Sequence, residues 1–267
     1  MSLIFTFGVG LLGLAVGSFL NAAVYRLRIK EFKSIFSGRS FCVNCKKTLH
    51  IRDLIPLASY LLLRKKCRFC ATKISAHYFW VELITALVFG LVAAVVGFEN
   101  LPLLAWNLFF VTVFIFIASF DFQFGEIPDE VSLPAIVIAG LGSFLVFPLT
   151  PLQSLLGLIV GGGFFVGIIL LNQLAYKLKL TSITWMGGGD IRFGALLGAL
   201  LGWQNFLIAL FAASLIGSLV GGLLMCQKKK GFFSPLPFGP FLALGGLLAL
   251  LFGNEIWSWY LGFIFPV

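Results

Sequence analysis

Two carboxylates in this chain stand where their neighbours give them no ordinary role. Asp121 closes the apolar run Ile117-Ala-Ser-Phe120, and Asp190 follows Gly187-Gly188-Gly189 and precedes the apolar run that begins at Ile191. A carboxylate at the mouth of a membrane segment is costly to desolvate, so by default it marks function or a specific partner. A pair of them suits peptide hydrolysis, because like charges held close share one proton. The ionised member draws a proton from water, while the protonated one donates a hydrogen bond to the scissile carbonyl. Such a pair titrates as a unit, so the proton has no single owner. Three glycines before Asp190 leave the backbone open to an extended peptide. The competing reading is a flexible turn in which Asp190 caps a helix starting at Ile191. Asp129 has a local explanation, since it follows Pro128, precedes the next apolar run and can cap that helix start.

The second constellation is Cys42-Val-Asn-Cys45 and Cys67-Arg-Phe-Cys70, with 21 residues between the pairs. Thiols three residues apart can turn toward one ion, and two such knuckles give the four ligands of a tetrahedral zinc site. Disulfides are the alternative, and a reducing cytoplasmic location argues against them. A closed four-thiolate site leaves no coordination position for water, so its zinc is structural. His50 and His77 read as polar loop or helix-start residues, and Cys226 as a small residue at a helix end.

The elements that position these groups are apolar spans. The chain has 267 residues, 60% hydrophobic and 11% charged, and a mean hydropathy of +1.06, which excludes an ordinary soluble domain. Runs near 3–25, 77–98, 101–120, 131–148, 152–176, 191–203, 204–226 and 238–252 approach the ~20 residues that cross hydrocarbon. The expected fold is an all-α polytopic bundle of about eight transmembrane helices. In it 1–25 is a retained first span, 26–76 a polar zinc-binding insertion and 77–267 the membrane core. A cleaved signal peptide is the alternative for the first span; the opening residues carry neither a basic n-region nor a small-residue cleavage site. Only Gln204 and Asn205 separate the sixth and seventh runs, so 191–226 is either two spans or one broken, re-entrant element. Within the insertion, Asp53 to Leu63 is apolar but too short to span, and is expected as an interfacial helix. Gly161-Gly-Gly163 reads as helix packing.

All nineteen basic residues fall in loops or helix ends that the eight-span topology puts on one face: thirteen between Arg26 and Lys73, then Lys177, Lys179, Arg192 and Lys228 to Lys230. The positive-inside rule makes that face cytoplasmic. Topology thus explains the net charge of +9, and no nucleic-acid partner is expected.

Together these residues resemble the type 4 prepilin peptidases of the GxGD aspartyl membrane protease group. The resemblance runs nearly end to end, through Gly17-Ser-Phe-Leu-Asn21 with Tyr25-Arg-Leu27, the two CxxC pairs with Ile55-Pro56 and Ser59-Tyr60 between them, and Tyr78 with Val81-Glu-Leu83. It continues through Asp121 with Ile127-Pro-Asp129, Met186-Gly-Gly-Gly-Asp190 and Pro237-Phe-Gly-Pro240. It implies a multi-pass protein of the bacterial inner membrane in which Asp121 and Asp190 cut type IV prepilins or pseudopilins between a short basic leader and an apolar helix, at the cytoplasmic face. It also implies S-adenosylmethionine-dependent methylation of the new N-terminus, and zinc on Cys42, Cys45, Cys67 and Cys70. The chain departs from the family pattern at Arg28, Val43 and Arg192, none of them a catalytic or ligand position.

Glu126, Asp129 and Glu130 are the acidic cluster on an otherwise basic face and are candidates, with Gly187 to Gly189, for contact with a basic leader. No compact motif for the methyl donor is legible, so its binding residues stay unassigned. Two other classes remain as rivals. In a proton- or ion-coupled transporter the aspartates would relay ions, although such groups commonly lie near mid-membrane in repeated halves. A non-enzymatic zinc scaffold would leave the aspartates unexplained.

Overall fold

The structure is a computed structural model that describes residues 2–29, 39–145, 149–179, 187–227 and 236–264. Met186, Lys30, Lys33 and Lys228 to Lys230, which enter the motif and charge readings, lie outside the described residues. Long helices follow one another: α1 (Ser2–Arg28), α3 (Ala76–Val96), α4 (Leu101–Phe124), α5 (Asp129–Leu145), α6 (Pro151–Lys177), α7 (Gly188–Cys226) and α8 (Gly239–Ile264), with the short α2 (Ala58–Leu62) in the polar insertion. Six of them, all but α2 and the 17-residue α5, are long and apolar enough to cross a membrane. The chain forms two compact units, dividing between Thr112 and Val113 within α4.

In the first unit α1 and α3 run antiparallel in close contact. A Cβ on Gly13 would meet Ala86, and one on Gly17 would meet Glu82 and Thr85 at 2.8–3.1 Å. Small residues here let two backbones approach, which is how helices associate where lipid gives no hydrophobic drive. Asn21, buried in this seam, donates its side-chain N–H to the Tyr78 carbonyl at 3.0 Å.

The second unit repeats this device. Gly157 lies against the Gly198 carbonyl and Gly161 against that of Gly194, and the Ser154 hydroxyl donates to the Ala199 carbonyl at 2.7 Å. Of the glycine triplet in α6, Gly161 and Gly162 serve packing, while a Cβ on Gly163 would meet open space.

Helix α7 decides the open question of 191–226. Gly246 of α8 lies against Leu197, yet its neighbour Gly245 lies against Ala209 and Ala213. In a straight helix Leu197 and Ala209 would be ~18 Å apart along the axis, too far to meet adjacent residues. The chain therefore doubles back between them, at Gly202, whose φ of 76° and ψ of 166° break the helix. Glycine takes this left-handed φ at no steric cost. The arms 188–201 and 203–226 of α7 thus run antiparallel to each other.

Three expected boundaries move. The interfacial element is not one helix over Asp53 to Leu63 but a 3-10 turn, Ile51–Leu54, followed by α2. Pro56 forces the break, since it lacks an N–H and disfavours helical backbone at Ile55, which is extended with ψ 116°. Helix α4 continues to Phe124, so Asp121 lies one turn inside it. Helix α8 runs to Ile264, twelve residues past the expected end, carrying Asn254 and Glu255 within it.

Candidate active site

Asp121 is buried, at 6% exposure, in the last turn of α4. Its Oδ2 accepts the backbone N–H of Gly239 at 2.8 Å. Gly239 is the first residue of α8, so the carboxylate occupies a helix N-terminus, where free N–H groups and the helix dipole favour negative charge. A Cβ on Gly239 would stand 2.6 Å from the same oxygen, so the approach requires glycine.

Asp190 is half-buried and lies in the first turn of α7, which starts at Gly188, three residues before the expected Ile191. The N-cap is Gly187, with no side-chain cap hydrogen bond, and the Asp190 N–H donates to the Gly187 carbonyl at 3.3 Å. Asp190 is therefore not the cap of this helix, which removes the competing reading of the motif. Asp190 is close enough to Asp121 for the two carboxyl groups to act on each other electrostatically.

The three glycines divide. Gly187 and Gly188 are exposed with open space around a hypothetical Cβ, whereas at Gly189 a Cβ would meet the Ile127 side chain at 2.8 Å. Gly189 thus seats the start of α7 on the loop that follows α4, and that contact brings the two aspartates to one end of the unit. Beside it, Arg192 forms an ion pair with Asp129 at the first turn of α5. The sequence offered no sign of this pairing, because 63 residues separate the two. Glu126 and Glu130 are exposed on the same loop and helix start. The Gly239 contact was equally hidden, because 118 residues separate its partners. The only clue was chemical, that a buried carboxylate needs a donor which its local sequence lacks.

In the first unit the four cysteines converge. Their sulfur atoms all lie within 4.8 Å of one another, and Cys42 and Cys70 Sγ are 3.8 Å apart, near the ~3.8 Å that two thiolates ~2.3 Å from one tetrahedral zinc would adopt. The knuckles are built alike. The Cys42 N–H donates to the Lys47 carbonyl and that of Lys46 to Cys42; the Cys67 N–H donates to Thr72 and that of Ala71 to Cys67. Single bridges, Phe41 with Thr48 and Lys66 with Lys73, close each loop, and the fourth residue after each leading cysteine, Lys46 or Ala71, takes a left-handed φ of 58° or 55°.

The Thr72 side chain and backbone hold the Cys70 thiol down to about 6. The Lys47 backbone also pulls on Cys45, but burial and the neighbouring thiols of Cys42 and Cys70 outweigh it and push that thiol up to about 11. Four sulfurs this close cannot all ionise without a cation, so the set fits a metal. Asp53 supports the module from beneath: its side chain is 1% exposed and Oδ1 accepts two N–H groups of Arg68, at 2.9 and 2.7 Å. The Arg68 guanidinium holds its carboxyl below the usual carboxylate range.

Comparison with known proteins agrees with this architecture. Residues 11–96 match the bacterial peptidase A24 N-terminal domain and residues 108–222 the type IV leader peptidase family. A protein of Aeromonas hydrophila named prepilin leader peptidase/N-methyltransferase is 35% identical, over 95% of this chain and 92% of its own length. Proteins of the same name from Stutzerimonas stutzeri, 33% identical, and Neisseria gonorrhoeae, 35% identical, each cover 94% of this chain and 92% of their own. No solved structure gives a significant match. The chain belongs to the type IV leader peptidase family.

Proposed function

We propose that this chain is a membrane aspartyl endopeptidase that removes the leader of a type IV prepilin-like protein at the cytoplasmic face, with Asp121 and Asp190 as its catalytic pair. The observation that carries this reading is the convergence of the two carboxyl groups at one end of the second unit, Asp121 held by the N–H of Gly239. The ionised carboxylate takes a proton from water, which attacks the scissile carbonyl carbon. The neighbouring acid donates to the carbonyl oxygen as it becomes tetrahedral, and collapse passes a proton to the leaving amine. Exposed Gly187 and Gly188 leave room beside Asp190 for an extended backbone, and Glu126 and Glu130 offer counter-charges to a basic leader.

In functional terms the proposal keeps 1–25 as a first span, 26–76 as the zinc-bearing insertion and 77–267 as the protease core. Cys42, Cys45, Cys67 and Cys70 would hold the zinc, whose chemistry is structural. The positive-inside rule supports a cytoplasmic position for the insertion and both aspartates. The relatives' name also supports a second activity, methylation of the freed N-terminus by S-adenosylmethionine. Incubating the purified protein with a prepilin and labelled S-adenosylmethionine, followed by mass spectrometry of the products, tests both activities. Leader removal followed by one methyl group on the new N-terminus supports the proposal, and an intact prepilin contradicts it.

A further inference from the structure

Among its described residues the polar insertion has an open apolar edge. Ile51 is 86% exposed and Leu62 78%, and Leu54, Ile55 and Leu61 are open as well. The opposite side of this segment is anchored. Tyr60 is buried with its ring 5.4 Å from that of Phe79, and the Leu57 N–H donates to Oε2 of Glu82 at 2.8 Å. Ser18 of α1 hydrogen-bonds the same carboxylate. Phe79 and Glu82 belong to the first two turns of the membrane-spanning α3, so α2 lies beside that helix to ~9 Å past its start. A segment at that depth faces the boundary between headgroups and acyl chains. Trp80, next to Phe79 and itself exposed, is the residue type that settles at this level.

Charge selects the occupant. One residue after Leu62 come Arg64, Lys65 and Lys66, all exposed. Arg64 and Lys65 both adopt left-handed φ, 49° and 63°, a conformation side chains avoid. The turn is held by the Lys65 N–H on the Tyr60 carbonyl at 3.0 Å and the Ile74 N–H on the Lys65 carbonyl at 2.8 Å. Residues 39–75 carry nine basic groups against one acid, and that acid, Asp53, is buried on Arg68. A basic leader peptide or a second copy of this surface would be repelled; an anionic lipid would not.

We propose that this edge is a docking surface for anionic phospholipid headgroups of the protein's own bilayer, with Leu61 and Leu62 in the acyl boundary and Arg64, Lys65 and Lys66 on the phosphates. The proposal does not depend on the peptidase reading. It is tested by amide hydrogen exchange across residues 57–66 in the full-length, zinc-loaded protein, in nanodiscs of phosphatidylcholine alone and of phosphatidylcholine with phosphatidylglycerol. Each basic residue near an anionic surface adds about five-fold in affinity, so exchange is expected to be at least about tenfold slower in the anionic discs. R64Q/K65Q/K66Q removes that difference; Lys66→Gln alone, which leaves the strained turn intact, removes part of it. Zinc content checks that each variant is folded. Equal exchange of the unsubstituted protein in the two compositions overturns the proposal. So does protection that rises with the number of copies per disc, or that appears only with a basic leader peptide.

Discussion

The Asp121 carboxylate accepts the N–H of Gly239 at 2.8 Å, at the first residue of α8. This joins two sequence motifs through a single oxygen and leaves no room for a side chain on Gly239. Gly239→Ala places a methyl carbon 2.6 Å from that oxygen and must shift the carboxyl group. Displacing a reacting group by ~1 Å costs about 100-fold, so kcat for prepilin cleavage is expected to fall by about 10- to 100-fold with KM little changed. Steady-state kinetics on a folded variant checks this; unchanged kcat would separate Gly239 from the site.

The glycine seam between α6 and α7 is expected to govern the stability of the second unit. Gly157→Ala and Gly198→Ala each drive a methyl group into the facing backbone carbonyl, while Gly163→Ala on the same helix meets nothing within 4 Å. Overpacking costs about 1–3 kcal/mol. Thermal unfolding in detergent should show the first two variants clearly destabilised and the third close to the parent.

Asp53 gives a pH dependence with a defined sign. The Arg68 hydrogen bonds hold its folded value below the ordinary one, so its contribution is complete above the unfolded value near 3.9 and is lost as pH falls through the folded value. Asp53→Asn is expected to lower the melting temperature of the zinc-bearing unit by about 2–4 °C at neutral pH. The difference between the two proteins should vanish at the acid end of a pH series, whatever the thiols do, because they titrate in both.

Asp129 pairs with Arg192, and Glu126 and Glu130 stand exposed on the same loop and helix start, where the proposed function has them meet a basic leader. Glu126→Gln with Glu130→Gln is expected to raise KM for basic-leader substrates by about 3- to 10-fold, exposed ion pairs being worth about 0.2–1 kcal/mol each, and to leave a neutral-leader peptide unaffected. Equal effects on both peptides would remove these residues from leader recognition.

Local chemistry was legible in the sequence wherever it repeats at short range. The CxxC spacing sufficed for the sulfur cluster, and apolar run lengths sufficed for the passes, because ligand geometry and bilayer thickness act within a few turns. Partnerships between distant residues were not legible. Nothing near Asp121 names Gly239, nothing near Asp53 names Arg68, and nothing near Arg192 names Asp129. Gly202 was hidden differently: Gln204 and Asn205 marked a break, but only the contacts of Leu197 and Ala209 with α8 show that the chain reverses there. The ends of α4 and α8 were misjudged because polar residues at the edge of an apolar run do not stop a helix whose backbone is satisfied within itself.

The pairing of Asp121 with Asp190 is tested by cleavage of a purified prepilin by the unsubstituted protein and by Asp121→Asn and Asp190→Asn, each with zinc content and melting temperature verified. A shared proton needs both carboxyl groups, so either substitution should reduce leader removal by about 10⁴-fold or more, as loss of a member of a catalytic unit does. Cleavage that survives either substitution would contradict the pairing.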